Sequence, residues 1–290
     1  MGNTHYEILR NKWIKKHKDL QKNLWEKHGN ALNHFANSVT QIAAGSLGGI
    51  MLLTSPVVPL LPAPQTPAPK ENIMPKIDKN VFLITDLHNV LPSDVAPLTT
   101  VQEEGAVKIL TRDFGLKIAP ELSGIRLNRS YGYIGQEQHL TRFPGDTMAS
   151  HFSTQDAASE FGKQGMAPGL GAWGYFARSA DTMTEKDNLF EKYYIAVPTF
   201  LAPGFSEHTG EYITFFKYRK MIVVNPNNGR AIVVVIGDAG PAEFTGKHLG
   251  GSPEVMQYLE RVDGAQKGAV LYFFIDDPND TVPLGPIDIK

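Results

Sequence analysis

Residues 221–241 read MIVVNPNNGRAIVVVIGDAGP, and this stretch decides the fold of the chain around it. Two apolar runs rich in β-branched residues, 221–224 and 231–236, flank Asn227-Asn228-Gly229. Such a triplet between two apolar runs is typical of a tight turn joining paired strands. The stretch therefore predicts two strands joined by a turn, with Asp238 just beyond the second strand.

Further short runs rich in β-branched and aromatic residues predict four more strands. These are Trp173–Ala177, Tyr193–Val197, Tyr212–Phe216 and Val270–Ile275. Ser252-Pro253 has the order of an N-cap followed by proline at the first helical position, which predicts a short helix. Six short strands and one helix within residues 169–290 predict a small β-barrel, because closure removes exposed strand edges.

The segment Asn228–Pro241 resembles the signature of double-psi β-barrels of the rare lipoprotein A type. That signature is an Asn-Gly-Arg turn, a run of valines and then Asp-x-Gly-Pro. The similarity continues through Gly246-Lys247-His248-Leu249, and Tyr194–Val197 resembles the strand that carries Ala-Ala-His in that family. The resemblance covers about residues 170–276. It implies a barrel that binds glycan in an open groove. Some members cleave peptidoglycan as lytic transglycosylases, and expansin-like relatives bind or loosen wall polysaccharide.

The resemblance implies that Asp238 is the acid that protonates the departing glycosidic oxygen, with no cofactor needed. The candidate glycan-binding residues are Trp173, Glu185, Asp187, Tyr194, His208, Lys247 and His248. An Asp before Ala-Gly-Pro can equally cap a turn by accepting backbone N–H groups, so both interpretations of Asp238 stay open. Two positions depart from the family, since Pro198 replaces its His and Gly250 its second Asp. The alternative is therefore a non-catalytic module that binds the wall or recruits a partner.

Residues 78–168 are predicted to form a small segment of helices and loops. Thr100-Val101-Gln102-Glu103 has the spacing of a capping box, and Gly115 suits a helix end. These signals predict a helix over residues 101–114, and a second short helix is expected over residues 154–163.

Residues 129–147 are rich in glycine and aromatic residues, which predicts an ordered functional loop rather than a strand or a helix. Four of the polar residues in and after this loop are metal-ligand types, or else they simply make local hydrogen bonds: Glu137, His139, Asp146 and His151. Three others could stack on a sugar: Tyr131, Tyr133 and Arg142. An acidic turn near the C-terminus has incomplete spacing for a calcium site: Asp276, Asp277 and Asp280.

The N-terminal region has the pattern of a membrane anchor. From His28 to Pro69 there is no Asp, Glu, Lys or Arg, and about 20 uncharged residues suffice to span a bilayer. We expect a basic amphipathic helix at 1–30, a transmembrane anchor at 31–62 and a Pro-rich linker at 63–77. The basic flank predicts a cytoplasmic N-terminus and an extracytoplasmic C-terminal domain. A cleaved signal peptide and a buried core helix are the alternatives to the anchor, and an ordinary solvated helix is the alternative to the basic one.

Composition excludes several classes of function. The chain of 290 residues has no cysteine, which excludes thiol catalysis, disulfides and Cys-ligated metal sites. Residues 1–30 hold seven Lys or Arg against three Asp or Glu, a balance of +4. Because the net charge of the whole chain is −2, residues 31–290 have a net charge of −6. This acidic balance is not that of a nucleic-acid-binding domain. The sequence predicts a membrane-anchored protein, and the resemblance implies that this protein engages cell-wall glycan; neither predicts an oligomeric state.

Overall fold

The computed structural model describes residues 79–261 and 268–290. The predicted basic helix, membrane anchor and Pro-rich linker lie outside these residues and stay predictions. Among the described residues, no helix has both the length and the apolar character that crossing a bilayer requires.

The regular elements of the described chain are mainly short. The α-helices are α1 (Lys79–Val90), α2 (Thr100–Phe114), α3 (Met148–His151), α4 (Gln155–Phe161), α5 (Glu185–Lys192), α6 (Thr209–Phe216) and α7 (Pro253–Tyr258). The strands are β1 (Ile118–Ala119), β2 (Glu121–Leu122), β3 (Ile125–Arg126), β4 (Tyr131–Gln136), β5 (Tyr194–Val197), β6 (Lys220–Val224), β7 (Ala231–Ala239), β8 (Leu249–Gly251), β9 (Gly268–Ile275) and β10 (Gly285–Ile287). Single turns of 3₁₀ helix lie at Gly162–Gln164, Ala180–Thr182, Thr199–Leu201 and Glu243–Thr245.

Six of the strands close into a mixed β-barrel. Each strand pairs with the next in the order β4, β9, β6, β7, β5 and β8, and β8 pairs with β4 to complete the ring. The β4–β8 and β5–β7 pairs are parallel, and the other four pairs are antiparallel. Strands β1 and β10 extend the sheet from β9 and β7. The predicted six-stranded barrel is thus confirmed.

The stretch 221–241 forms the β6–β7 hairpin, as predicted. The Gly229 N–H donates to the carbonyl of Asn225 over 2.9 Å, and Gly229 has a φ of +73°, which glycine adopts without steric cost. Strand β7 is apolar from Ala231 to Ile236, where both of its faces are buried, and it continues through Asp238 to Ala239. Ile232 and Ile236 belong to the core inside the barrel, whereas Val233 belongs to a second core outside it.

Helices α1 and α2 cover the outer face of β6, β7 and β9. They contribute a set of buried side chains to the outer core: Leu83, Leu87, Ala106, Leu110 and Phe114. Helix α2 confirms the predicted helix at 101–114, and Gly115 ends it with a φ of +63°. The sheet and these helices therefore bury two apolar layers, one on each side of the barrel wall.

The cap of helix α2 begins one residue earlier than predicted. Thr99 is the N-cap, its side chain accepts from the Gln102 N–H, and Gln102 completes the capping box. Glu103, the predicted partner, is buried instead, where it accepts hydrogen bonds from Arg126 over 2.8 Å and from Ser130 over 2.6 Å.

Two of the six predicted strands are wrong. Residues 212–216 lie in helix α6, where Tyr212, Phe215 and Phe216 form one buried face. Their aromatic content favours a strand, but their spacing of three and four residues fits a helix. Residues 173–177 form no regular strand, and Gly174 there has a φ of +76°. Strands β4 and β8 complete the six-stranded barrel in place of these two segments.

Strand β4 lies within the stretch 129–147, so the prediction of a loop is wrong for residues 131–136. Gly132 and Gly135 weaken its strand signal, yet each leaves room for a neighbouring side chain. A Cβ at Gly132 would lie 2.8 Å from the Cβ of His248, and a Cβ at Gly135 would collide with the Lys247 side chain. The two glycines therefore let Lys247 and His248 lie across β4. The expected helix at 154–163 is present as α4 and the following 3₁₀ turn.

Candidate functional site

Three strand positions meet at the end of β7. Asp238 pairs with Ala196 of β5, and Ala196 pairs with Gly250 of β8. The register of β5 against β7 shifts after Ile195, so a bulge brings Asp238 into line with Ala196. The chain then leaves the barrel through Gly240-Pro241.

The carboxyl group of Asp238 is half-buried and held by backbone donors. Its Oδ1 accepts from the N–H of Ala172 over 2.6 Å and from the N–H of Ala239 over 2.8 Å. Among the described residues, none donates a hydrogen bond to Oδ2. Burial raises the pKa of Asp238, and the two N–H donors oppose that rise only in part. The side chain thus combines the turn-capping geometry with the raised pKa that a general acid needs.

A cavity of about 200 Å³ opens where the chain leaves β5 and β7, and Asp238 itself is not among the residues that line it. Its wall includes two of the predicted glycan-binding residues, Lys247 and His248, together with Pro198 and Pro241. The His248 ring stacks on Tyr133 with 5.6 Å between ring centroids, and its Nδ1 accepts from the Tyr133 N–H over 2.9 Å. These contacts fix the imidazole at the cavity edge.

A second carboxylate lies near this cavity. Glu137 Oε1 forms an ion pair with Lys247 Nζ at 2.5 Å. The carboxyl group of Glu137 occupies the space over Gly250 where a Cβ would stand. Glu137 follows β4, so its approach to β8 depends on the parallel β4–β8 pair. Sequence reasoning missed this neighbour because 113 positions separate the two residues and no local pattern links them.

The other predicted glycan-binding residues do not line this cavity. The Trp173 Nε1–H donates to the Ile236 carbonyl over 3.0 Å. Tyr194 is buried, and its hydroxyl donates to the Gln138 carbonyl. Three more lie on helices or beside them: Glu185 is exposed in the first turn of α5, Asp187 caps that helix through Thr184, and His208 is exposed beside Glu211.

A second group of polar side chains is buried outside the barrel wall. His139 follows β4, His151 ends helix α3 and Glu191 lies in helix α5. His139 Nδ1 lies 3.3 Å from Glu191 Oε1, and His151 Nε2 lies 3.1 Å from Glu191 Oε2. The structure therefore brings together two of the four residues predicted as metal ligands and adds Glu191, which sequence reasoning missed.

The outer nitrogen of each imidazole also faces an oxygen. His139 Nε2 lies 3.2 Å from the Phe161 carbonyl, and His151 Nδ1 lies 3.2 Å from Asp146 Oδ2. Asp146 is held in turn by Arg142, whose Nε and Nη2 donate to its two oxygens over 2.9 Å each. Arg142 is buried in this ion pair, so it presents no exposed face to a sugar. Asp146 thus contacts the His151 nitrogen that faces away from Glu191, and Glu137 pairs with Lys247 instead of joining this group.

The charges of this group set its pKa values. Burial raises the pKa of Glu191, but hydrogen bonds from His139 and His151 outweigh burial and bring the pKa to about 2. Burial likewise opposes the ionisation of Asp146, and the bonds from Arg142 lower its pKa to about 2. Burial lowers the pKa of His139, but its bond to Glu191 gives a net rise.

A cavity of about 370 Å³ reaches this group. His151 and Glu191 line it, and so does Glu254 of helix α7. The Glu254 side chain is buried, and its Oε2 has no hydrogen-bond partner among the described residues. Burial and the neighbouring Glu191 raise the pKa of Glu254 to about 7.

The acidic turn near the C-terminus holds a lysine. Lys220 Nζ lies 2.7 Å from Asp277 Oδ2 and 2.6 Å from Asp280 Oδ1. The ammonium group therefore fills the position between these carboxylates that a calcium ion would need.

Comparison with protein-family models, with curated proteins and with solved structures finds no match to this chain.

Proposed function

We propose that this protein engages cell-wall glycan, peptidoglycan in the first place, through its barrel, and that Asp238 cleaves the glycan as a general acid. The observation that carries the proposal is the position of Asp238, which is half-buried in line with Ala196 and Gly250 and three residues before the cavity residue Pro241. The resemblance of residues 228–241 to double-psi barrels of the rare lipoprotein A type supports it. The closed, mixed, six-stranded barrel is compatible with that fold.

The reaction that fits one acid is that of a lytic transglycosylase. Protonated Asp238 gives its proton to the glycosidic oxygen as the bond from that oxygen to the anomeric carbon breaks. A hydroxyl group of the same sugar then bonds to the anomeric carbon, and its proton goes to the Asp238 carboxylate. The acid is regenerated, an anhydro-sugar forms and no water is consumed. The raised pKa of Asp238 favours the protonated form that begins this cycle.

Glu137 compensates for one departure from the family pattern. Gly250 stands where the resemblance implies an acid, and the carboxyl group of Glu137 lies over Gly250. A carboxylate there would stabilise the positive charge that develops on the sugar ring. The family His is replaced by Pro198, and His248 lines the same cavity as that proline.

A non-catalytic barrel is the second candidate function. It is favoured by the hydrogen bonds that Asp238 Oδ1 accepts from two backbone N–H groups. An Asp whose only role is to hold the 171–172 segment in place would make the same bonds. In that case the barrel tethers the membrane to the wall or recruits a partner. Both versions keep the predicted anchor, with the N-terminus in the cytoplasm and the barrel outside.

Incubating the full-length protein with purified wall sacculi separates these functions. We expect soluble anhydro-sugar fragments by mass spectrometry, their loss in Asp238→Asn, and their retention in the matched control Asp276→Asn, whose side chain is exposed. Co-sedimentation with sacculi without release of fragments supports the non-catalytic version. Failure to bind or to cleave any wall glycan overturns the proposal.

A further inference from the structure

In the buried group formed by His139, His151 and Glu191, the imidazole nitrogens face more acceptor oxygens than two neutral rings can satisfy. All four imidazole nitrogens face oxygen atoms, and each of these oxygens is a carbonyl or carboxylate acceptor. A neutral imidazole carries one N–H and one lone pair. With neutral rings, His139 Nε2 donates to Phe161 and His151 Nδ1 donates to Asp146, so two lone pairs are left facing the Glu191 carboxylate. That arrangement needs either two extra protons, which would make both imidazoles cationic, or a metal ion between the nitrogens and the carboxylate.

We propose that His139 Nδ1, His151 Nε2 and Glu191 bind one divalent transition-metal ion, with zinc as the reference ion, and that its fourth coordination position opens onto the cavity lined by Glu254. The three ligand atoms lie within 4.8 Å of one another. Two ligands of a tetrahedral zinc, each about 2.0–2.1 Å from the metal, lie about 3.3 Å apart. The distance of 3.3 Å from His139 Nδ1 to Glu191 Oε1 and that of 3.1 Å from His151 Nε2 to Glu191 Oε2 match this spacing, each nitrogen with a different carboxylate oxygen.

The surroundings of the two imidazoles are those of metal-bound histidines. A histidine that binds a metal through one nitrogen commonly donates from the other to a carboxylate or a backbone carbonyl, which fixes the ring and its tautomer. His151 makes this contact with Asp146, and His139 makes it with the Phe161 carbonyl. Arg142 neutralises Asp146, so the outer carboxylate does not compete for the metal.

The open position follows from the cavity. Two His and one Glu supply three ligands, and zinc sites with three protein ligands keep a fourth position for water or substrate. Glu254 lines the same cavity, its side chain is more than nine-tenths buried, and its Oε2 is without a hydrogen-bond partner in the described chain. A metal-bound water is a donor that would satisfy this oxygen. The site therefore has the layout of a metal centre that activates water, separate from the Asp238 position in the proposed function.

The test uses the full-length protein, stripped with a chelator and titrated with zinc against a chromophoric competitor. We expect one zinc ion per chain. Glu191→Gln keeps the shape of the side chain and should weaken zinc affinity at least about 100-fold, since even contacts behind the ligands are worth 10–100-fold. His151→Ala should do the same. The matched control His88→Ala removes an exposed imidazole from helix α1 and should leave the affinity unchanged.

Cobalt substitution of the unmutated protein keeps the test decisive even if a variant does not fold. We expect the intense visible absorption of tetrahedral or five-coordinate cobalt, and a change in that spectrum when azide is added at the open position. Absence of stoichiometric zinc binding would show that two extra protons bridge the group instead, and binding equal to the wild type in folded Glu191→Gln would show that the ion binds elsewhere. Either result overturns the proposal. Neither result bears on cleavage of glycan by Asp238.

Discussion

The carboxyl group of Glu137 fills the space that a side chain at Gly250 would need. Residue 250 is therefore glycine because an acid that follows β4 lies over β8, and the ion pair of Glu137 with Lys247 keeps that acid in place. The two residues also link the cavity edge to the strand position next to Ala196 and Asp238. The contact between Glu137 and residue 250 can be tested by measurements of stability, which need no ligand.

Replacing Gly250 with Ala should destabilise the fold by about 1–3 kcal/mol, because the added methyl group forces the Glu137 carboxyl away from its position. In a Glu137→Ala background, the same substitution should cost less than about 1 kcal/mol, because the two sites are coupled. Urea unfolding of the four proteins in this cycle measures both values. Gly169→Ala is the control, since nothing lies within 4 Å of a Cβ built there. Equal costs of Gly250→Ala in both backgrounds would contradict the contact.

The two roles of Asp238 should separate when Asn and Ala replacements are compared. Asn keeps an acceptor oxygen for the Ala172 and Ala239 N–H groups, whereas Ala leaves both donors without it. Asp238→Ala should therefore lower stability by about 1–3 kcal/mol, and Asp238→Asn should not. Because the folded-state pKa of Asp238 is raised, its ionisation destabilises the fold above the unfolded-state pKa of about 3.9.

Asp238→Asn should accordingly equal or exceed the wild type in stability at pH 7, and any gain should vanish below about pH 4. Urea unfolding across this pH range is the measurement. An Asn variant as unstable as the Ala variant at pH 7 would show that the carboxylate charge itself holds the 171–172 segment.

Asp277 should show the opposite dependence on pH. Its carboxylate accepts from Lys220 over 2.7 Å and from the Thr281 and Val282 N–H groups over 2.9 Å each. Burial opposes its ionisation, but these donors lower the folded-state pKa of Asp277 well below its usual range. Its stabilisation is complete above the unfolded-state pKa and is lost as the pH falls from about 4 toward the lowered folded-state value.

Asp277→Asn should therefore reduce the free energy of unfolding by about 1.5–3 kcal/mol at pH 7, the usual worth of hydrogen bonds to a charged group. The difference from the wild type should shrink steadily below about pH 4 in denaturant titrations. The neighbouring exposed Asp276→Asn provides the comparison and should change little at any pH. A difference that stays constant down to pH 2 would rule out the ion pair as its cause.

Local sequence signals identified the parts of the fold whose contacts are local. The Asn-Asn-Gly turn predicted the β6–β7 hairpin, and Ser252-Pro253 predicted helix α7, because each element is encoded by adjacent residues. Strand β4 could not be recognised in the same way. Its glycines 132 and 135 look like breakers until Lys247 and His248 are placed across them, which requires the closed barrel.

The residues of the candidate sites differ in the same way: those near a recognisable sequence motif could be predicted, and those brought in by long-range packing could not. Asp238, Lys247 and His248 were predictable from the sequence because they lie in or soon after the hairpin that carries the sequence signature. Glu191 was not, since it lies 40 residues beyond His151 in a short helix rich in charged residues. Only the packing of that helix against the chain after β4 brings its carboxylate between the two imidazoles.

Glycan binding should depend on Lys247 and not on Trp173, although the sequence pattern indicates both. Lys247 lines the cavity of about 200 Å³, whereas the Trp173 indole packs on the core and donates to the Ile236 carbonyl. Lys247→Met keeps the chain length but removes the ammonium group, so its affinity for sacculi should fall about tenfold, equivalent to about 1.4 kcal/mol. Trp173→Phe should leave affinity unchanged and lower stability by about 1–2 kcal/mol through loss of its hydrogen bond. Co-sedimentation at a series of sacculus concentrations, with urea unfolding of the same samples, measures both quantities. Weaker binding by Trp173→Phe with normal binding by Lys247→Met would move the glycan site away from this cavity.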